Sequence, residues 1–284
     1  MPFGLCNAPA TFQRVMDTVL ADLKQSGFVQ VYLDDIIIYS QDLQQHVNHL
    51  AEVLQKLRGA HLYAKAQKCS FGVGSIEFCG FIVSQHGIAT CPNKIKAIRD
   101  WPIPENVKDV RSFLGLCGFY NKFVENIAEI AAPMTDLLHK DVPFTWTDVT
   151  QQAFEQLKLA LENTANLAFP DSSKPYHLYV DASQYAIGAT LNQDDSNGRL
   201  RIIACCSKKL NQAEQNYPTQ EKELLALHYV LGHWRHYLLG PKVYVYTDSA
   251  SVRWLRTCPN PTPRLARWLV RFNEYDLEPI LSLP

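Results

Sequence analysis

Phe28-Val29-Gln30-Val31-Tyr32-Leu33-Asp34-Asp35-Ile36-Ile37-Ile38-Tyr39 sets two adjacent carboxylates between two short runs of valine, isoleucine and tyrosine. Such runs favour extended backbone and aspartate suits a tight turn, so the stretch predicts a β-hairpin with Asp34 and Asp35 at its tip. A buried strand excludes adjacent charges, and the pair therefore needs a reason. Two are open from the residues alone. The pair is an ordinary Asp-Asp turn, or it is a platform for a divalent cation, since Mg²⁺ takes oxygen ligands and phosphoryl transfer needs carboxylates on a rigid element.

Working outward, Asn7 and Pro9 offer a helix start, and Phe12, Val15, Met16, Val19, Leu20 and Leu23 recur at helical spacing until Ser26-Gly27. On the other side Val47, Leu50, Leu54 and Leu57 mark an amphipathic helix ended by Gly59, and Phe71 to Ile88 reads as short strands punctuated by glycines. Helices on one face of an antiparallel sheet are expected. The texture changes near Cys91, because Trp101-Pro102-Ile103-Pro104 is a rigid extended segment. Helical patterns at 107–125 and 148–163 follow, with turns at Pro133, Pro143 and Pro170. From Tyr176 a second α/β unit is expected. Its strands lie at 177–180, 187–191 and 200–206, and a long helix runs from Tyr217-Pro218 to Gly240-Pro241 on Leu224, Leu227, Leu231, Trp234 and Leu238. Lys242 to Tyr246 is a further strand. The fold class is α/β, divided into residues 1–90, 91–172 and 173–284.

Bulk properties bound the function. A chain of 284 residues supports two domains with separate cores, and 47% hydrophobic against 19% charged residues argues against extended disorder. No apolar run reaches the roughly 20 residues of a membrane span, and no basic stretch leads into an apolar segment after Met1, so a soluble intracellular protein is expected, cytoplasmic or nuclear. The eight cysteines form no C-x-x-C pair and read as buried free thiols. His46-x-x-His49 and His233-x-x-His236 lack companion ligands at zinc spacing. Net charge is −1, yet five arginines and no acid lie between Ser249 and Asn273. Arg264, Arg267 and Arg271 have helical spacing, which suits either a solvated helix face or a phosphate-contacting one.

Three acids in the C-terminal unit are candidates for two-metal hydrolysis of a phosphodiester, which needs carboxylates converging from separate elements. Asp181 ends the first strand, Asp248 follows the last, and Glu223 lies on the flank of the long helix, where Glu221 is expected to point more toward solvent. Taken singly, Asp248-Ser249 is equally a helix cap and Asp181-Ala182-Ser183 a turn.

Larger motifs weigh between these readings. Met1-Pro2-Phe3-Gly4-Leu5-Cys6-Asn7-Ala8-Pro9 with Thr11-Phe12-Gln13, followed by Tyr32-Leu33-Asp34-Asp35, resembles the substrate-pocket and catalytic-hairpin motifs of reverse transcriptases from gypsy-type long-terminal-repeat retrotransposons. Tyr179-Val180-Asp181-Ala182-Ser183, Glu221-Lys222-Glu223-Leu224-Leu225-Ala226 and Tyr246-Thr247-Asp248-Ser249 resemble the RNase H domain of the same polyproteins, as do Arg264-Leu265-Ala266-Arg267-Trp268 and Glu274-Tyr275-Asp276. The resemblance implies an α+β partial polymerase palm over 1–90, a mostly helical thumb or connection over 91–172, and an RNase H-like domain with a mixed sheet over 173–284.

By resemblance Asp34 and Asp35 would belong to the polymerase metal site, and Pro2, Phe3 and Gly4 to the nucleotide pocket. Asp181, Glu223 and Asp248 would hold Mg²⁺ or Mn²⁺ in the nuclease, and Arg264, Arg267 and Arg271 would contact nucleic acid. The implied partners are an RNA/DNA hybrid, template-primer nucleic acid and, in the intact enzyme, a deoxynucleoside triphosphate. The family has a further palm aspartate upstream of residue 1 and a fourth RNase H acid beyond residue 284. The expectation is therefore no DNA synthesis by this chain alone and weak, Mn²⁺-favoured cleavage of hybrid RNA. The alternative is a catalytically impaired or co-opted retroelement remnant that binds nucleic acid without turnover. A sugar-kinase-like ATPase is disfavoured, because no glycine-rich phosphate loop follows Asp181.

Overall fold

The structure, a computed structural model, describes residues 6–140, 142–247 and 261–281. The chain divides into two compact units, Met1–Gln85 and His86–Pro284. The division falls slightly before the change of texture at Cys91 and leaves the helical connector in the same unit as the second sheet.

In the first unit α1 (Ala8–Val19) and α2 (Ala21–Gln25) lead into β1 (Val29–Tyr32), β2 (Asp35–Ile38) and α3 (Leu43–Gly59). Asp42 caps α3 by accepting from Gln45 N at 2.8 Å, and its apolar stripe supplies Val53 and Leu57 to the core. Met16, Leu20 and Leu23 from the first two helices meet Phe28, Val29 and Val31 of the hairpin, so one face of β1 is buried and the other carries Gln30 and Tyr32 outward. Each such buried side chain contributes about 1.5–3 kcal/mol. A second hairpin, β3 (Ser75–Phe78) and β4 (Phe81–Ser84), turns through Cys79 and Gly80, both at positive φ (49° and 78°). Gly80 suits the second position, because it carries no Cβ to clash there.

The second unit opens with β5 (Gly87–Thr90), α4 (Pro92–Arg99), α5 (Val107–Phe119), α6 (Ile127–Ile130), α7 (Ala132–Asp136) and α8 (Asp148–Glu162). Phe113 of α5 and Phe154 of α8 pack at 4.6 Å between ring centroids, with Trp101 tilted against Phe113. Ile88 and Leu167 exchange two backbone hydrogen bonds of 2.8 Å, tying β5 to the strand-like stretch after α8. Next come β6 (Tyr176–Ala182), β7 (Ala186–Asp194), β8 (Leu200–Lys209), α9 (Gln212–Gln215), α10 (Thr219–His233), α11 (Arg235–Leu238), β9 (Lys242–Thr247), α12 (Pro263–Phe272) and β10 (Asp276–Leu281).

The expected long helix is interrupted at Trp234. Its buried indole and its turn backbone (φ −102°, ψ 26°) end α10 before α11 begins. The order of the five strands is β10-β9-β6-β7-β8, antiparallel across β6-β7-β8 and parallel for β6-β9 and β9-β10. Strand β10 was not anticipated from the sequence; Pro279, which lacks an N–H, is tolerated because β10 lies at the sheet edge.

Alternation along β6 decides what each face does. Tyr176, Leu178 and Val180 are buried with Leu224, Leu227 and Leu231 of α10 and Trp268 of α12, whereas Tyr179 and Asp181 are exposed on the opposite face. Part of that opposite face is covered by the connector: Ala128 N donates to Ser207 Oγ at 3.1 Å, and that hydroxyl donates to Ile187 O at 3.0 Å. Lys209 pairs with Asp136 at 2.5 Å over the same region.

Candidate active sites

The first candidate site is the tip of the β1-β2 hairpin. Tyr32 lies opposite Asp35, so Leu33 and Asp34 form a two-residue turn, with Leu33 in the left-handed region at φ 52°. A leucine costs about 1–2 kcal/mol there, and something must hold it. Gln13 of α1 does so: its Oε1 accepts from Leu33 N at 2.6 Å, and its Nε2 donates to Val31 O at 3.3 Å. Asp34 and Asp35 are exposed, presenting carboxylate oxygens from a braced turn. Other nearby acids are engaged. Asp17 accepts from Lys24 at 2.5 Å and Asp22 from Lys56 at 2.6 Å, and those partners hold both carboxyls below the usual range. Pro2, Phe3 and Gly4 lie outside the described residues. The sequence contained Gln13 within a motif but gave no sign that it braces the turn.

The second candidate site lies on the β6 face opposite α10. Asp181 sits within β6, one residue from its end, paired across to Gly188. It opens into a cleft of about 370 Å³ lined also by Tyr179, Tyr246, Thr247, Thr190 and Glu125. Thr247 ends β9, so Asp248, itself outside the described residues, is one peptide bond from a residue lining the Asp181 cleft. Glu223 is 6% exposed on α10, which packs against the other face of β6, and it does not line the Asp181 cleft. Glu221 is more open than Glu223, as expected, although an ion pair with Arg264 of α12 leaves its side chain only 17% exposed. Among the described residues no three His, Cys, Asp or Glu side chains come together to hold a metal ion.

The arginines of α12 divide. Arg264 pairs with Glu221 and stacks on Tyr217 at 3.9 Å from the ring centroid. Arg271 turns onto α10, its guanidinium over Gly232 and 3.4 Å from His228 Nε2. Arg267 is exposed. In the first unit His46 and His49 both bond the Ser40 hydroxyl, at 3.2 and 2.8 Å, which accounts for that pair without a metal. Glu125 and Asn126 could not be found from the sequence, since they reach the cleft only by docking of the connector. Tyr179 and Tyr246 were partly legible, lying at alternate positions beside acids already singled out.

Residues 1–83 match the reverse transcriptase (RNA-dependent DNA polymerase) family, and residues 146–245 match the RNase H-like domain found in reverse transcriptase. The chain is 43% identical over 98% of its length to the retrovirus-related Pol polyprotein from transposon 297 of Drosophila melanogaster, of which it covers 26%. This chain belongs to the reverse transcriptases of retrotransposon Pol polyproteins. The polyprotein of transposon opus, also from Drosophila melanogaster, is 41% identical over 98% of the chain, which covers 29% of it. Transposon Tf2-3 polyprotein of Schizosaccharomyces pombe is 35% identical over 98% of the chain, which covers 21% of it. The chain thus spans between a fifth and a third of these relatives. Among solved structures, a foamy viral protease-reverse transcriptase (dRH) in complex with double-stranded DNA matches the whole chain with a TM-score of 0.87 at 25% identity, half of that protein being covered. The foamy viral protease-reverse transcriptase in complex with double-stranded DNA matches with a TM-score of 0.85 at 25% identity, 60% of that protein being covered. Among the described residues no helix of this reverse transcriptase segment is long and apolar enough to cross a membrane.

Proposed function

We propose that this chain is the segment of a retrotransposon reverse transcriptase that carries part of the DNA-polymerising palm together with a nuclease acting on RNA paired to DNA. The observation that carries the nuclease reading is the placement of Asp181. It opens into a cleft from the central strand, beside a strand whose last residue lines the same cleft and leads into Asp248. Carboxylate oxygens on rigid strand ends are the donors a hard divalent cation prefers, so the residue types fit Mg²⁺ or Mn²⁺. Asp181, Glu223 and Asp248 would hold such ions in the nuclease, and Asp34 and Asp35 in the polymerase. Bound there, the cations supply activation of the attacking water or hydroxyl and stabilisation of the leaving oxygen.

The protein's own groups do the rest. Burial holds Glu223 on α10, and β6 holds Asp181 beside Thr247 of β9, the residue that precedes Asp248. In the palm, Gln13 holds the turn that carries Asp34, and Pro2, Phe3 and Gly4 belong to the pocket for the incoming deoxynucleoside triphosphate. Arg267 is available to a backbone phosphate; Arg264 and Arg271 order α12 against α10 and reach nucleic acid from its flanks. The double-stranded DNA bound by the foamy viral structures supports a duplex partner. The palm is assigned to 1–90, the thumb or connection to 91–172 and the RNase H-like domain to 173–284, in a protein working inside the cell, in cytoplasm or nucleus. The test is cleavage of a labelled RNA/DNA hybrid with Mg²⁺ or Mn²⁺ by the wild-type chain and by Asp181→Asn. Cutting by the wild type alone is expected. Equal cutting by both discards the site, and hybrid binding without cutting by either favours the non-catalytic remnant.

A further inference from the structure

The open face of the second sheet carries a row of aromatic rings that the proposed chemistry does not use. Alternate positions share one face of a strand, which sets His177, Tyr179 and Asp181 of β6 and Tyr244 and Tyr246 of β9 on the side away from α10. Parallel register brings Tyr179 opposite Tyr246 and His177 opposite Tyr244. The rings of Tyr179 and Tyr246 stack at 4.4 Å between centroids with 10° between planes, and Tyr246 stacks in turn on His177 at 5.7 Å. The row is fixed from behind. His177 Nδ1 is 2.9 Å from the Tyr246 hydroxyl, and its Nε2 faces Asp194 Oδ2 at 3.4 Å. Rings held in this way lose little freedom when a ligand stacks on them.

Strand order places β9 on one side of β6 and β7 on the other. One face of Tyr179 is therefore covered by Tyr246, and the other looks over β7, where Thr190 and Gly188 stand opposite Tyr179 and Asp181. Both are short, so they leave a slot rather than a wall. Its far rim is the loop before α6, where the Asn126 carboxamide lies over Gly188, close enough that an added Cβ would come within 1.8 Å of Oδ1. Glu125 lines the same cleft, and Tyr179 remains 36% exposed in it.

The lining selects its occupant. Among the described residues no lysine or arginine lines the slot, and Glu125 stands on its rim, so charge does not draw an anion into it. A flat π surface facing a carboxamide across small residues suits a planar group with polar edges. We infer that the slot takes a nucleobase of the bound strand, stacked on the free face of Tyr179, with Tyr246, His177 and Asp194 holding that ring in place. The inference rests on the nuclease reading and adds to it the element that seats a nucleotide beside Asp181.

The test compares binding of a fluorescent oligouridine with that of an abasic ribose-phosphate strand of equal length and charge. Stacking on one aromatic ring corresponds to roughly five- to 150-fold in affinity. The wild-type chain is expected to prefer oligouridine within that range, Tyr179→Phe to keep the preference, and Tyr179→Leu to lose it. Thr190→Phe, which fills the slot while leaving the tyrosine pair intact, is expected to lose it too, and His177→Ala to weaken it. Equal affinity of the wild type for both strands, or an undiminished preference in both Tyr179→Leu and Thr190→Phe, overturns the slot. Hybrid cleavage by wild type and Asp181→Asn is scored alongside. Lost base preference with Asp181-dependent cleavage intact overturns the slot alone; retained preference with cleavage indifferent to Asp181 overturns the nuclease reading alone.

Discussion

Replacing Gln13 with alanine removes two hydrogen bonds from the turn that presents Asp34 and Asp35, one accepted from Leu33 N at 2.6 Å and one donated to Val31 O at 3.3 Å. Each is worth about 0.5–1.5 kcal/mol net, the shorter more than the longer. Leu33 meanwhile keeps its left-handed φ of 52°, and without the hydrogen bond from its N–H to Gln13 that brace no longer opposes relaxation of the turn. Opening of the hairpin tip should become easier by about 1.4 kcal/mol, or roughly tenfold in the opening equilibrium. Global stability should change less, because the apolar stripe of α1 that buries Met16 is untouched. Amide hydrogen exchange reads this directly. The Leu33 amide should exchange about tenfold faster in Gln13→Ala, while the amide of Tyr39, which donates to Phe28 O at 3.0 Å at the other end of the hairpin, keeps its wild-type rate. Gln13→Glu retains the acceptor and should protect Leu33 better than alanine does. An unchanged Leu33 rate in Gln13→Ala refutes the bracing role.

Gly87→Ala should destabilise the second unit by about 3 kcal/mol or more, seen as a lower urea midpoint. Gly87 has φ 119°, and a Cβ would meet Leu167 O at 2.0 Å, breaking the paired bonds to Ile88. Burial pushes the thiols of Cys117 and Cys205 up to about 12 and that of Cys206 up to about 11, so at pH 8 a thiol-specific alkylating reagent should spare all three while labelling exposed Cys6. Burial, then Arg271 and Lys208, hold His228 below its ordinary value of 6.5, and burial, then His236, does the same to His233. The unfolded chain binds those protons first, so stability should fall as pH drops through 6.5 toward the depressed folded values. Urea midpoints at pH 7.5 and 5.5 should differ less in His228→Gln than in wild type. Arg264→Ala should loosen α12 from α10, detected as a lower melting temperature, whereas Arg267→Ala should leave melting unchanged and weaken duplex binding mainly at low salt.

What the sequence made legible was local. The hairpin at Asp34-Asp35, the helix over Val47 to Leu57 and the strand that carries Asp181 each announce themselves within a dozen positions, although α3 buries Val53 and Leu57 and leaves Val47 and Leu54 exposed. The left-handed Leu33 and its brace do not, because Gln13 acts through a contact between separate elements. Likewise β10 carries Pro279 and reads as a poor strand; it is extended because β9 offers it an edge. Glu221 was expected to lie more toward solvent than Glu223 and does, but its pairing with Arg264 was not legible, because the position of Arg264 depends on how α12 closes over α10. Of the residues around the second candidate site, Asp181 and Glu223 were singled out by motif, whereas Glu125 and Asn126 come from a segment with no motif of its own.

That borrowed rim bears on how the C-terminal half can be handled. A fragment cut at residue 173 would keep the sheet and its acids but lose the loop that lies over Gly188 and the amide of Ala128 that anchors it to Ser207. Transplanting the RNase H-like domain into another protein, or expressing it alone, therefore calls for a cut upstream of α5, so that the docked loop travels with the strands it shelters.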